Sequence, residues 1–372
     1  NKIFDEKNQN LIINKLNFSL TKDQKKTLDE INKDLCSSKK MFRLLQGDVG
    51  SGKTIVALLA AFNTIKSGFQ VAVMAPTEIL ARQHYNLAKE IFPRKLKIQL
   101  ISGKSNYRSK KEILNKLTTN KIDIIFGTHA IFQKKVIYKN LGLIIIDEQH
   151  KFGVNQRKRL SDKGGNNCDV LLMTATPIPR TLTMTMYGDM DLSIIAEKPK
   201  LRKPIKTYSK LESKIDDIIK FIKKEIKAGN QIFWVCPLIE ESKKLDHSSA
   251  IKKFEYLEKL FPNQVSLLHG KTDIEEKEII LNRFLKNEFK ILVSTTIIEV
   301  GIDFPNANVI IIENANKFGL SQLHQLRGRV GRGNKNSTCI LMFKSNLSEN
   351  AKKKINILKN SNDGFYISEE DM

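Results

Sequence analysis

The chain has 372 residues, 41% of them hydrophobic and 28% charged, which is the make-up of a globular protein and more chain than one core comfortably holds. It has no run of 18 or more apolar residues to span a bilayer, and its polar start, Asn1–Asn10, has no apolar signal segment. The 63 Lys and Arg against 40 Asp and Glu leave a formal charge of +23, so a polyanion, nucleic acid first, is the natural partner, although a bias toward Lys, Asn and Ile would scatter charge over all faces.

The cysteines, Cys36, Cys168, Cys236 and Cys339, lie far apart with no CxxC spacing, which points to a reducing cytoplasm and away from a structural zinc site. The sequence starts at Asn1 rather than Met and stops at Glu369-Glu370-Asp371-Met372 just after a helical pattern, as expected of a piece of a longer polypeptide.

Apolar strand-like runs then alternate with amphipathic stretches, the pattern of parallel α/β sheets covered on both faces. In the first half the runs are Phe42–Gln46, Gln70–Ala75, Ile98–Ile101, Asp123–Gly127, Leu141–Asp147 and Val170–Thr174. In the second they are Gln231–Cys236, Val265–His269, Lys290–Ser294, Val309–Glu313 and Thr338–Phe343. Helices are predicted at Lys53–Lys66, Glu78–Phe92, Glu212–Lys227 and Glu275–Leu285, and Asn350–Asn360 has helical spacing with no strand after it. The charged stretch Glu197–Pro204, with two prolines, reads as a linker between two open α/β domains. A cleft is expected between them, with motif loops gathered beyond the carboxyl ends of the strands.

Between the first strand and the first long helix stands Gly47-Asp48-Val49-Gly50-Ser51-Gly52-Lys53-Thr54, the GxxxxGK[ST] phosphate loop in its required strand–loop–helix setting. Its glycines let backbone N–H groups curl around phosphate oxygens. Lys53 would reach the β/γ-phosphates of ATP, and the Thr54 hydroxyl would hold Mg²⁺. The apolar strand 141–146 ends in Asp147-Glu148-Gln149-His150. Two carboxylates at a buried strand end are costly unless a cation or a reaction needs them. Asp147 suits the metal and Glu148 the general base that orients water. His150 by itself reads as a hydrogen-bonded structural histidine.

Taken in order, these motifs resemble the superfamily 2 helicases. The series runs Phe18–Thr21…Gln24, the phosphate loop, Ala75–Glu78, Gly127–Ala130, Asp147–His150, Thr174–Pro177, Val235–Ile239, His269–Lys271, Thr295-Thr296…Glu299–Asp303 and Gln325–Arg332. Asp147–Val154 (DEQHKFGV), Pro177–Leu182 and Gln322–Gly333 (QLHQLRGRVGRG) resemble the RecG family within it. Gln149 and His324 set the chain apart from the related motors of transcription-repair coupling factors, which usually carry Glu and Tyr there.

The resemblance implies two RecA-like parallel-sheet domains in tandem with an ATP cleft between them, followed by the start of a C-terminal helical hairpin. It divides the chain into a linker remnant (1–19), a first lobe (20–197), a linker (198–204), a second lobe (205–345) and the beginning of a translocation hairpin (346–372). An N-terminal wedge domain and the end of the translocation motif are expected to lie outside this sequence. The implied activity is that of an ATP-dependent DNA helicase or translocase, a cytoplasmic monomer acting on branched duplex DNA in recombination and repair.

The resemblance also assigns roles by position. Gln24 would recognise adenine, a solvated Gln at a helix start being the alternative. Gly301 and Asp303 would contact ATP from the second lobe, and Arg332, with Arg329 as partner, would supply the arginine finger. Arg327 could equally be a solvated or DNA-facing charge. His150, Thr174, Thr176 and Gln325 would couple hydrolysis to lobe movement. DNA contacts are implied for Pro76, Thr77, Arg82, Gly127, Thr128 and His129 in the first lobe, and for Leu238, His269, Gly270, Thr295 and Thr296 in the second. These are mostly small, hydroxyl or helix-start residues, suited to phosphates rather than bases. Trp234, inside an apolar run, reads as core. A P-loop kinase is disfavoured by the Gly328-Arg329-Val330-Gly331-Arg332 stretch, and a non-catalytic DNA scaffold by the intact Lys53, Asp147, Glu148 and Arg332.

Overall fold

In this computed structural model residues 2–101, 107–148, 168–175, 190–197, 203–237, 243–270, 272–295, 302–331, 335–344 and 347–371 are described. The chain divides into two compact units, Asn1–Pro199 and Lys200–Met372.

The first unit is built on a seven-stranded sheet with all pairings parallel. Its strands are β1 (Phe42–Gly47), β2 (Gln70–Met74), β3 (Ile98–Leu100), β4 (Ile124–Gly127), β5 (Leu141–Ile146), β6 (Asp169–Thr174) and β7 (Asp191–Ile195). They lie in the order β3-β4-β2-β5-β6-β1-β7. Alternate residues of the central strands feed opposite cores: Val71, Val73, Leu143, Ile145, Leu171 and Met173 face one cluster, and Ala72, Met74, Ile144, Ile146, Val170 and Leu172 the other. With both faces covered, these strands read as unbroken apolar runs.

Helix α1 (Glu6–Ile13), α2 (Lys22–Cys36), α3 (Lys53–Lys66), α4 (Glu78–Ile91) and α5 (Tyr107–Thr118) complete the unit. Every residue of α3 from Ile55 to Ile65 is buried, and a helix apolar all round must be covered on its outer side as well as against the sheet. α1 and α2 share that core with α3, through Ile12 from α1 and Leu28, Ile31 and Leu35 from α2. Residues 1–19, expected as a linker remnant, thus contain a packed helix. Lys2 is buried as well, in an ion pair with Asp169 at the start of β6.

The second unit repeats the plan with six parallel strands: β8 (Lys206–Leu211), β9 (Gln231–Val235), β10 (Val265–Leu268), β11 (Ile291–Ser294), β12 (Ala307–Ile312) and β13 (Thr338–Phe343). Their order is β10-β11-β9-β12-β13-β8. Helices α6 (Ile215–Lys227), α7 (Lys243–Leu260), α8 (Ile274–Leu285), α9 (Leu320–Arg327), α10 (Glu349–Asn360) and α11 (Gly364–Glu369) accompany them. The expected helix at 212–227 opens as a 3-10 turn, Glu212–Lys214, before α6 begins.

At the amino end of each sheet a buried glutamine ties a strand to its neighbours. Gln70 donates to the carbonyls of Leu117 and Ile122, and Gln231 to those of Phe284 and Phe289. Two edge strands, β7 and β8, were not expected from the sequence. No described helix is long and apolar enough to cross a membrane.

Candidate functional site

The phosphate loop leaves β1 and turns into α3. Gly50 and Gly52 hold φ of +75° and +87°, a region that side chains resist. Gly52 is further confined: a Cβ there would lie 2.2 Å from Gln24 Nε2. That amide donates to the Ser51 carbonyl at 2.7 Å, while Gln24 Oε1 accepts from Thr21 N–H at 2.9 Å in a capping box that starts α2. Gln24 is therefore a buried tie between α2 and the loop and not a solvated residue at a helix start.

Lys53 Nζ points back into the loop, donating to the carbonyls of Gly47 at 2.7 Å and Asp48 at 3.0 Å. Val49 N–H donates to Asp48 Oδ1 at 2.7 Å, and the Ser51 hydroxyl is buried with no hydrogen-bond partner. A buried hydroxyl of this kind, beside a lysine ammonium folded back into its own loop, is the setting that an anionic group would complete. Thr54 is half-buried in the first turn of α3.

Strand order brings the acidic pair to this loop, because β6 lies between β1 and β5. Asp147 and Glu148 are both buried, at 6% and 2% exposure. Asp147 N–H donates to the Met74 carbonyl at 2.9 Å, which continues the β2–β5 ladder by one residue. Its Oδ1 accepts from Glu148 N–H at 2.9 Å, and its Oδ2 lies 2.7 Å from Nε2 of His84, on α4. Burial acts to raise the Asp147 carboxyl. The hydrogen bond and charge of His84, the Lys53 ammonium and the Glu148 N–H outweigh it and hold the group below the usual carboxylate range. Asp147 thus stays an oxygen donor suited to a hard cation.

Glu148 sits at φ +54°, an uncommon place for a residue with a side chain and one found most often at functional sites. Ala175 N–H approaches Glu148 Oε2 at 3.5 Å, so the end of β6, where Thr174 is buried, meets the candidate base. Among the described residues no three His, Cys, Asp or Glu side chains form a metal cage. An ion here would take one or two protein oxygens and complete its shell elsewhere, as Mg²⁺ does with phosphates.

The candidate nucleic-acid residues of the first unit collect on the other side of β5, at the ends of β2 and β4. Met74 pairs with Gly127, and Ala75 N–H donates to the Gly127 carbonyl at 3.0 Å. Pro76 and Thr77 are half-buried, and the Thr77 hydroxyl caps α4 by accepting from Leu80 N–H at 3.3 Å. Arg82 and His129 are exposed and Thr128 half-buried. Gly127 admits no larger residue, since a Cβ would lie 2.5 Å from Ile131 Cγ2.

In the second unit His269 and Gly270 follow β10, and Thr295 follows the adjacent β11, donating its N–H to the Leu268 carbonyl at 3.2 Å. Asp303 is exposed, Gln325 half-buried on α9, and Arg329 fully buried just after that helix. Gly301, Arg332, Leu238, Thr296, His150 and Thr176 lie outside the described residues.

Arg327 is neither solvated nor a free surface charge. It is 1% exposed and donates to the carbonyls of Leu358 at 2.6 Å and Ser361 at 2.8 Å, with His324 Nδ1 2.9 Å from its Nη2. Asp371 makes the matching tie, accepting from the N–H groups of Leu320 and Ser321 at the start of α9, both at 3.0 Å. α9 is thereby clasped to α10 and α11. His84 escaped the sequence reading because a lone histidine in the buried stripe Leu80-His84-Ala88-Ile91 looks like ordinary core. Trp234 is core as expected, its indole N–H donating to Glu313 at 2.9 Å.

Comparison with known proteins agrees with this arrangement. The model of the DEAD/DEAH box helicase family matches residues 21–185, and that of the helicase conserved C-terminal domain matches residues 213–334. The chain is 48% identical over 363 residues to the ATP-dependent DNA helicase RecG of Bacillus subtilis (strain 168), covering 97% of this chain and 53% of the relative. It is also 48% identical over 374 residues to the RecG of Aquifex aeolicus (strain VF5), with 99% and 47% covered. The chain thus spans about half the length of the curated relatives it matches. A structure of RecG bound to a three-way DNA junction superposes with a TM-score of 0.89 at 42% identity, over all of this chain and 49% of that one. A structure of Mss116p bound to ssRNA and AMP-PNP, at 21% identity and TM-score 0.68, shares the fold. With two tandem parallel-sheet units, a DEAD/DEAH box helicase domain followed by a helicase conserved C-terminal domain, and sequence similar to RecG along nearly its whole length, the chain is a two-domain helicase core similar to that of RecG.

Proposed function

We propose that the chain is the ATP-driven motor of a DNA helicase or translocase acting on branched DNA, such as forks, Holliday junctions, D-loops and R-loops, in the cytoplasm. The observation that carries this reading is the sheet order of the first unit. It places the phosphate loop, Thr174 and the Asp147–Glu148 pair on three adjacent strands, β1, β6 and β5, and sets the candidate nucleic-acid residues on the next two, β2 and β4. The relative seen on a three-way junction supports DNA, and branched DNA, as the substrate.

In this reading Gly47–Thr54 wrap the phosphates of ATP, and Lys53 exchanges its two carbonyl partners for phosphate oxygens. Thr54 and Asp147 would hold Mg²⁺, which would supply positive charge against the phosphates. Glu148 orients water and takes its proton as it attacks. Arg332, with Arg329, adds positive charge from the second unit, and Gly301, Asp303 and Gln24 contact the nucleotide. His150, Thr174, Thr176 and Gln325 pass the change on. Pro76, Thr77, Arg82, Gly127, Thr128, His129, Leu238, His269, Gly270, Thr295 and Thr296 grip the phosphate backbone without reading bases.

The test is steady-state ATP hydrolysis with and without forked DNA, alongside binding of a fluorescent ATP analogue. Wild type should hydrolyse ATP and do so faster on DNA. Glu148→Gln should bind nucleotide yet turn over about 10³-fold more slowly. Near-normal turnover in Glu148→Gln removes the base from the mechanism, and ATPase indifferent to any DNA removes the motor.

A further inference from the structure

We propose that His84 is a positioning residue that fixes the Asp147 carboxylate and links it to the nucleic-acid end of α4. The inference rests on the reading above, in which Asp147 holds Mg²⁺ and Thr77 faces DNA.

The Asp147 carboxylate can only accept hydrogen bonds, so the 2.7 Å contact requires His84 Nε2 to carry the proton and donate it. Both side chains are buried, at 7% and 8% exposure, so the bond is shielded from water. With Oδ1 held by Glu148 N–H and Oδ2 by His84, the carboxylate is pinned from two elements, its own strand end and α4. Its backbone is tied to β2 through Met74, and α4 is the helix that follows β2. Thr77 caps α4 and His84 lies seven residues on, about 10 Å along the axis at 1.5 Å per residue. A small shift of a helix moves all of it together. Displacement of the Thr77 end therefore arrives at the carboxylate through one short bond.

The second unit shows what this place in the fold holds where no phosphate loop exists. There α7 follows β9, Glu313 ends β12 with its N–H on the Val235 carbonyl at 2.9 Å, and Lys253 of α7 sits 2.9 Å from Glu313 Oε1. That acid is paired with an ammonium, which also lies 5.2 Å from the centre of the Trp234 ring. His84 orients its acid with a single N–H and leaves lone pairs of the carboxylate for a cation.

The experiment measures how far a short linear duplex tightens binding of fluorescent ADP, titrated with and without Mg²⁺, in wild type, His84→Leu and His84→Gln. Linkage requires the same factor when the Mg²⁺–nucleotide complex is used to tighten the duplex. Wild type should show a factor of about tenfold. His84→Leu should bring it to near one and raise the Mg²⁺ needed by about tenfold, with binding in EDTA unchanged. His84→Gln, which places a donor near the same point, should restore most of both. His84→Phe takes the place of His84→Leu if the latter does not fold. An unchanged factor and Mg²⁺ requirement in the donor-less variant overturns the proposal. So does a Gln variant as impaired as Leu at equal thermal stability. Wild type that binds no nucleotide in a Mg²⁺-dependent way overturns the functional reading itself, and does so before any variant is made.

Discussion

Replacing Arg327 by Met keeps most of the buried side-chain volume and removes the guanidinium that closes α9 onto α10. Two of its bonds, at 2.6 and 2.8 Å, go to the carbonyls of Leu358 and Ser361, at the end of α10 where carbonyls have no partner within the helix. A charged donor contributes roughly 1.5–3 kcal/mol per bond, and an orphaned buried carbonyl costs about 1–3 kcal/mol. Relaxation and the better burial of Met offset part of this, which leaves a net loss of about 3 kcal/mol. In a unit spanning residues 200–372 that lowers the midpoint by about 6–12 °C. Trp234 is the chain's single tryptophan and lies in this unit, so indole fluorescence during thermal or urea unfolding reports on it alone. Arg327→Lys should recover little, because a point charge cannot span both carbonyls and His324. A loss under about 1 kcal/mol in Arg327→Met would show that the clasp is not what holds the helices together.

Asp371 gives the clasp a pH dependence. Burial acts to raise its carboxyl, but the N–H groups of Ser321 and Leu320 lower it overall, so its contribution is present above the ordinary carboxylate value of about 4 and is lost as pH falls through the lowered one. Protection of the Leu320 and Ser321 amides, taken relative to their intrinsic exchange rates, should fall over that acid range in wild type, and Asp371→Asn should flatten the dependence. A change of the same size in both proteins sinks the assignment. If Arg332 supplies charge to the γ-phosphate, Arg332→Ala should leave nucleotide affinity within a few-fold and lower kcat by about 10³ or more, with no rescue by lysine. Rescue would point to a general electrostatic role. Binding to DNA should weaken linearly in log salt, with a slope of about −0.9 per phosphate contacted, and vary little with base sequence. A sharp sequence preference would mean that side chains read base edges.

The fold class was legible because buried parallel strands print themselves as unbroken apolar runs, and because α3 is bounded by its glycine loop and by Ser67-Gly68. The edge strands β7 and β8 were not. They mix their apolar residues with Asp, Ser, Lys and Thr, so no apolar run marks them, unlike β3 and β10 at the opposite edges. α1 shows one fully buried isoleucine in a polar stretch, and its reason for being lies in the outer face of α3. The phosphate loop and the acidic pair are local patterns that a sequence displays. The long-range partners of His84, Gln24 and Arg327 stand 63, 27 and 31 or more residues away, and two of the three bond there to backbone carbonyls that no side-chain pattern records.

The two strand orders coincide position for position. Read across the sheets, β2 corresponds to β9, β5 to β12 and β1 to β8. Gln70 and Gln231 then stand at one topological position, as do Asp147 and Glu313 with the helices that reach them. What differs is the junction after the outer strand: a glycine loop between β1 and α3 in the first unit, and the turn Glu212–Lys214 after β8 in the second, where Lys253 meets the acid. One scaffold thus serves two surroundings, and the short segment after one strand sets them apart.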